Sequence, residues 1–393
     1  MPAPSSSTIP HIPTDALLSP TPDGIHKAAQ LLAHGKLVVL PTETVYGIAL
    51  NLASPAARDA ARQIKSGAAD TAALPAPWVI HVAQIDDLLA WTPNISPLGR
   101  RLVTKSLPGP VAFQIKLDPA AENAARARLG AAADETLHNG FITLRCPEFP
   151  ATQNVLAAVR LPVAIIGAGN RTQPAVCELA ELPAALFAPS NSPAIDAALD
   201  GGPARYRRSS TLVRIDDDQY SILRPGVIDD RIIHRMADLT ILFLCSGNTC
   251  RSPMAAAIAS RLLADRFKIS PADLPLRHIV IQSAGLHASR GMHATPEAVE
   301  SVQAFGAALS SHLSQPATAE GGGLLRRADV IYTMTSAHRE ELVDLFPWAE
   351  RKTFRLDPEG DIADPIGAPL AVYQRVARRL AAVIQDRLNE FAV

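Results

Sequence analysis

Residues 245–252 read Cys-Ser-Gly-Asn-Thr-Cys-Arg-Ser, directly after the apolar run Ile241-Leu242-Phe243-Leu244 and before Pro253 and the stretch Met254-Ala-Ala-Ala-Ile-Ala259. The pattern predicts a strand, a tight polar loop and a helix. Successive backbone N–H groups of such a loop can wrap a dianion, and the helix N-terminus adds positive potential. The same field favours the thiolate of Cys245 as a nucleophile. Arg251 is suited to grip two oxygens of a phosphate with its planar fork. Ser252 reads as the helix N-cap with Pro253 at the first helical position; alternatively, Ser252 is placed to hydrogen-bond Cys245.

Composition bounds what surrounds this motif. The chain has 393 residues, 48% of them hydrophobic, which suggests two or three domains with ordinary cores. A formal net charge of −1 gives no global field directed at nucleic acid or membrane. Four cysteines in this length do not make a secreted disulfide framework. Residues 1–22, rich in Pro, Ser and Thr, lack the apolar core of a signal peptide and read as a disordered tail. No apolar stretch reaches the length of a membrane span. A cytoplasmic protein is expected. The boundary between two independent α/β patterns falls at about residues 229–238, giving domains at 23–230 and 238–393. Near the C-terminus, Tyr373, Val376, Leu380, Val383, Ile384, Leu388 and Phe391 recur at three- and four-residue spacing and read as the core face of a helix.

From about Asp238 onward the chain resembles the low-molecular-weight tyrosine/arginine phosphatases. The residues that carry the resemblance are Cys245-Ser-Gly-Asn-Thr-Cys-Arg-Ser-Pro-Met254, Ser283-Ala-Gly285, Ala328-Asp-Val-Ile-Tyr-Thr-Met334 and Asp361-Ile-Ala-Asp-Pro365. The resemblance implies a small parallel sheet flanked by helices, with the site at the strand C-termini. It also implies a phosphorylated protein substrate, a phosphocysteine intermediate, no metal and no cofactor. It assigns Cys245, Arg251 and Asp364 to catalysis, with Asp364 as general acid. Ser246, Gly247, Asn248, Thr249, Cys250 and Ser252 then form the phosphate-binding loop. Asp361 and Asp357 are nearby carboxylates that compete for the acid's role. Thr249 is the residue type of the arginine-specific branch, and Ile366 offers no aromatic face for a phenol, so phosphoarginine is expected over phosphotyrosine. Arsenate-reducing relatives need cysteines downstream of the loop, and Cys250 is the last in this chain. A Cys245–Cys250 disulfide remains available to protect the nucleophile.

The N-terminal half resembles a second family. Gly35-Lys-Leu-Val-Val-Leu-Pro-Thr-Glu-Thr-Val-Tyr-Gly47, Pro108-Gly-Pro110, Leu144-Arg-Cys-Pro147, Ser210-Thr-Leu-Val213 and Leu223-Arg-Pro-Gly226 are similar to the YrdC-type domain of threonylcarbamoyl-AMP synthases. That implies a twisted α/β sheet around a positively lined cavity taking ATP, L-threonine and bicarbonate for tRNA modification. Thr42 and Thr44 are then candidates for an amino-acid ligand, Lys65 and Arg145 for phosphate or carboxylate, and Asn170 and Ser210 for directional hydrogen bonds. Two positions depart from the family. Gly67 follows Lys65-Ser66 where an arginine is expected, and Ala168 replaces the serine before Gly169-Asn170. Arg62 and Arg171 are the available substitutes. Each lost charged hydrogen bond is worth about 1.5–3 kcal/mol, so the expectation is a partly degenerate ligand-binding domain. The alternatives are an active synthase fused to the phosphatase, a tyrosine phosphatase, and a non-catalytic RNA-binding or scaffold module.

Overall fold

The strand that ends at Cys245 is apolar on both faces, as a strand between two helical layers must be. In the computed structural model, which describes residues 12–66, 78–169, 175–187 and 195–390, Leu239–Cys245 is buried along its whole length. Two compact units divide between Met236 and Ala237, inside the Asp230–Ala237 helix.

In the C-terminal unit, Leu239–Cys245 pairs in parallel with Ile279–Gly285 on one side and Val330–Thr333 on the other, and Thr353–Arg355 lies outermost. Alternation along the central strand sorts its side chains. Leu239, Ile241, Phe243 and Cys245 join a core with Met254, Ile258 and Leu263 of the Arg251–Phe267 helix. Leu242 and Leu244 face the opposite core, with Leu325 and Leu342. The Leu370–Glu390 helix brings Tyr373, Val376, Leu380, Val383, Ile384 and Leu388 into the first core; Phe391 lies outside the described residues. The spatial order of strands is second, first, third, fourth. Chain direction across the sheet therefore switches beside the first strand, and Cys245 stands at its C-terminal end, where open α/β sheets hold ligands.

The N-terminal unit is built on one mixed sheet of eleven strands among the described residues. Along its middle run Val38–Leu40, Gly47–Asn51, Val163–Gly167, Ile80–His81, Phe141–Arg145 and Val111–Lys116. Thr211–Asp216 and Gln219–Arg224 close one edge. Helices Pro22–Ala33 and Pro150–Val159 pack Ala28, Leu32, Val155 and Leu156 over one end.

The expected tail at 1–22 needs correction. Residues 1–11 lie outside the described residues, but Leu17–Leu18 forms an edge strand paired with Ala198 and Leu199, and Ile12, Ala16 and Leu18 are buried. Local composition there is that of a tail. The partner strand lies far along the chain, and burying these few apolar side chains orders the segment. Thr21 then caps the first helix, with Pro22 in its first turn.

Candidate active site

The loop after Leu239–Cys245 turns on Asn248, whose φ is +55°. Asparagine enters this left-handed region more readily than most residues. Its side chain is fully buried and fully used. Nδ2 donates to Ser252 Oγ and to Ser283 Oγ, each at 2.9 Å, and Oδ1 accepts from Gln315 N at 2.9 Å. The Asn248 carbonyl accepts from His312 Nε2 at 2.7 Å. Neighbouring carbonyls are also tied outward. Leu286 N donates to Cys245 O, His287 N to Ser246 O and Thr295 N to Thr249 O, at 2.9–3.0 Å. Gly285 permits this approach, because a Cβ there would lie 2.3 Å from Ser246 O and 2.9 Å from Asn248 N.

With the carbonyls held outside, the loop's donors are left for a ligand. Among the described residues, the N–H groups of Ser246, Gly247, Thr249 and Cys250 donate to no protein acceptor. Asn248 N points at Cys245 Sγ, 3.3 Å away. Such a run of amides is an anion nest.

Ser252 is not the helix cap. The helix begins at Arg251 with Cys250 in the capping position, which places Ser252 inside the first turn. The hydroxyl serves the thiol instead, with Ser252 Oγ 3.0 Å from Cys245 Sγ and 3.2 Å from Ala284 O. Its proton can turn from the carbonyl to a thiolate. Cys250 Sγ lies 3.5 Å from the Tyr373 hydroxyl and 3.7 Å from Thr295 Oγ1. Burial, then the contact with Cys250, pushes the Tyr373 pKa up. Both loop cysteines are free thiols.

Arg251 is buried and reaches the late loop. It donates to Ile362 O at 3.2 Å and pairs with Asp364, which is nearly half exposed. Asp364 Oδ1 also accepts from Ile366 N at 3.2 Å. The competing carboxylates are engaged elsewhere. Asp361 accepts from Ser336 N at 2.9 Å and pairs with Arg355. Asp357 is buried against Arg379 and accepts from Glu359 N at 3.0 Å. Ile366 is exposed beside Asp364. His338, which the sequence does not single out, places Nε2 2.8 Å from Ser246 Oγ. Burial, and after it the Arg251 charge, lowers the His338 pKa.

In the N-terminal unit, Thr42, Lys65, Arg145 and Ser210 line one cavity of about 390 Å³. Thr44 stands behind the wall, where it bonds Thr42 Oγ1 at 2.8 Å and accepts from Arg145 Nη2 at 2.8 Å. Arg145 also holds buried Glu43 at 2.6 Å, while its buried Nε has no partner. Asn170 and Arg171 lie outside the described residues, as does Gly67. Arg62 lines the cavity but is tied to Asp59 and Glu135. Lys65 Nζ donates to Gly169 O at 2.8 Å, and desolvation lowers its pKa.

Two lining residues were given no role from sequence. Arg224 donates to Ser210 O and Oγ at 3.2 and 3.3 Å, and burial followed by the Arg145 charge lowers its pKa. His81 is held neutral: burial, then Arg145, brings its pKa down to about 3, and its Nδ1 bonds Val79 O at 2.9 Å. Arg224 falls within the quoted Leu223–Gly226 stretch, so its motif was visible although its role was not.

Two family models match the chain. One, Sua5/YciO/YrdC, described as telomere recombination, covers residues 30–226; the other, low molecular weight phosphotyrosine protein phosphatase, covers residues 240–392. A protein-arginine-phosphatase of Geobacillus stearothermophilus is 37% identical over 155 residues, which are 38% of this chain and 93% of that protein. A protein-arginine-phosphatase of Bacillus subtilis is 34% identical over 153 residues, again 38% and 93%. A probable low molecular weight protein-tyrosine-phosphatase of Ralstonia nicotianae is 35% identical over 137 residues, 34% of this chain and 83% of that protein.

The Asn248 hub generates a prediction. Asn248→Ala leaves Ser252, Ser283 and Gln315 short of partners, so stability should fall by about 1–3 kcal/mol and the inorganic phosphate Kd should rise about tenfold or more. Calorimetric titration with phosphate and urea unfolding measure both. Asn248→Gly relieves the backbone conformation but not the lost amide and should bind phosphate no better. Wild-type phosphate affinity in either variant would show that the loop does not depend on this side chain.

Proposed function

The chain belongs to the Sua5/YciO/YrdC family through residues 30–226 and carries a low-molecular-weight phosphotyrosine phosphatase domain over residues 240–392, and from this premise we propose that its C-terminal unit hydrolyses phosphorylated protein through Cys245, with phosphoarginine preferred over phosphotyrosine. The observation that carries the reading is the Cys245 thiol in an amide nest, bonded by Ser252 Oγ and Asn248 N, with Arg251 of the same segment paired to Asp364.

Substrate phosphate enters the nest, and Arg251 exchanges Asp364 for two phosphoryl oxygens. Cys245 Sγ attacks phosphorus, forming an S–P bond as the bond to the leaving group breaks. Asp364, released from Arg251, acts as general acid and delivers the proton of its own carboxyl to the leaving nitrogen or oxygen. Asp364 then takes a proton from water as the water oxygen attacks phosphorus. The S–P bond breaks, and the thiolate returns to its hydrogen bond from Ser252. No metal takes part in this scheme. A thiol nucleophile of this kind works in a reducing compartment, which favours the cytoplasm.

Preference for phosphoarginine rests on Thr249 and Ile366. Thr249 adds a hydroxyl to the loop, and exposed Ile366 gives a phenol ring no aromatic face beside Asp364. The expected result is a higher kcat/KM for a phosphoarginine peptide than for the matching phosphotyrosine peptide. Thr249→Ile should shift that ratio about tenfold or more toward tyrosine. A wild-type enzyme faster on phosphotyrosine, with an unchanged ratio in Thr249→Ile, would assign the domain to tyrosine instead.

For the N-terminal unit we propose a ligand-binding module of the ATP, L-threonine and bicarbonate class with little synthase turnover. Lys65 and Arg224 bring basic groups to its cavity, while Arg145 is paired with Glu43 and Arg62 with Asp59 and Glu135. The expected outcome is measurable ATP or threonine binding with pyrophosphate release near background. Robust release that depends on ATP, threonine and bicarbonate together would make the chain bifunctional. RNA binding that weakens with salt, without ATP or threonine binding, would replace the reading with a nucleic-acid module.

A further inference from the structure

His338 sits in the first turn of the Ser336–Leu345 helix, where Thr335 Oγ1 accepts its backbone N–H at 3.1 Å. The helix follows the third strand of the C-terminal unit, on the far side of the switch from Cys245. His338 as a residue is more than nine-tenths buried. Nε2 lies 2.8 Å from Ser246 Oγ, and Nδ1 is buried without a partner.

That asymmetry selects one protonation state. An imidazolium would carry a second N–H donor on Nδ1 with nothing to accept it, close to the Arg251 cation. Arg251 disfavours the charge, while Glu341, Asp364 and Asp361 favour it, and burial together with Arg251 prevails. Of the two neutral tautomers, the one protonated at Nδ1 strands a buried donor. The one protonated at Nε2 puts its donor on the atom that has a partner. Ser246 Oγ then accepts from His338 and keeps its own O–H, for which no protein acceptor is present among the described residues.

We propose that His338 is a positioning residue for the phosphatase site: its Nε2–H tautomer fixes the Ser246 side chain as a hydrogen-bond acceptor and thereby commits the Ser246 hydroxyl to donate to an oxyanion held in the loop. The inference rests on the phosphatase reading for its biological use, but its chemistry is that of anion binding. A bound phosphoryl group receives one donor beyond the loop amides and Arg251, and no further positive charge accompanies it.

The test is inorganic phosphate binding by the full chain, read by calorimetry, in Ser246→Ala, His338→Leu, His338→Gln and the Ser246→Ala/His338→Leu double variant. Nitrogen NMR of the wild-type imidazole reads the tautomer directly. Expected are a phosphate Kd raised about tenfold by Ser246→Ala and by His338→Leu, as for one lost charge-assisted hydrogen bond, and a double variant no weaker than Ser246→Ala alone. His338→Gln, whose amide N–H takes the place of Nε2–H, should recover most of the loss. A protein merely loosened by the substitution would not be rescued this way. Additive losses in the double variant, a glutamine variant as weak as the leucine one, or an Nδ1–H tautomer would overturn the proposal. Should His338→Leu fail to fold, Ser246→Ala and His338→Gln decide it. A chain that binds phosphate as described but hydrolyses no phosphoprotein defeats the phosphatase reading alone.

Discussion

The amide of Asn248 ties the phosphate loop to three other parts of the C-terminal unit. It joins the helix through Ser252, the neighbouring strand through Ser283 and a distant loop through Gln315. The nest depends on this tether, because a backbone at φ +55° with its amides pointing inward has no regular partner to hold it. Outward-facing carbonyls, the glycine at 285 and the histidine at 312 complete the frame. The site is therefore preorganised, with its donors in place before an anion arrives, which is what charge stabilisation in a reaction requires.

The Arg251–Asp364 pair gives the frame a resting state. The Arg251 guanidinium, at the end of the loop, is paired with the Asp364 carboxylate. In the proposed mechanism, substrate binding and release of the acid become one event, since a dianion that recruits Arg251 also frees Asp364 from its ion pair. Asp361 and Asp357, each engaged with an arginine of its own, take no part in that exchange.

Where a structural feature lies in one short segment, the sequence was legible. Cys245, Arg251 and the strand–loop–helix around them could be read from neighbouring residues, as could the apolar stripe of the last helix. What depends on distant partners could not. Asn248 meets Ser283 and Gln315 at separations of 35 and 67 residues, and no local pattern announces those contacts. Of the two roles open to Ser252 from sequence, cap and thiol partner, the structure has the second. Ile12, Ala16 and Leu18 sit in tail-like composition but are buried beside a strand formed by Ala197–Leu199. In the N-terminal unit the predicted Thr42, Lys65, Arg145 and Ser210 do share one cavity; Arg224, whose motif was visible but whose role was not, and neutral His81 join them through the sheet's topology.

In the proposed mechanism Cys245 becomes covalently phosphorylated in the nest. Rapid acid quenching of the full chain during turnover of a phosphorylated peptide, followed by mass spectrometry of the peptide containing residues 245–251, measures this directly. Expected is one added phosphoryl group on Cys245 that decays when substrate is exhausted and is absent from Cys250. Turnover with no phosphoryl group on Cys245 at any quench time, and undiminished in Cys245→Ser, would contradict it.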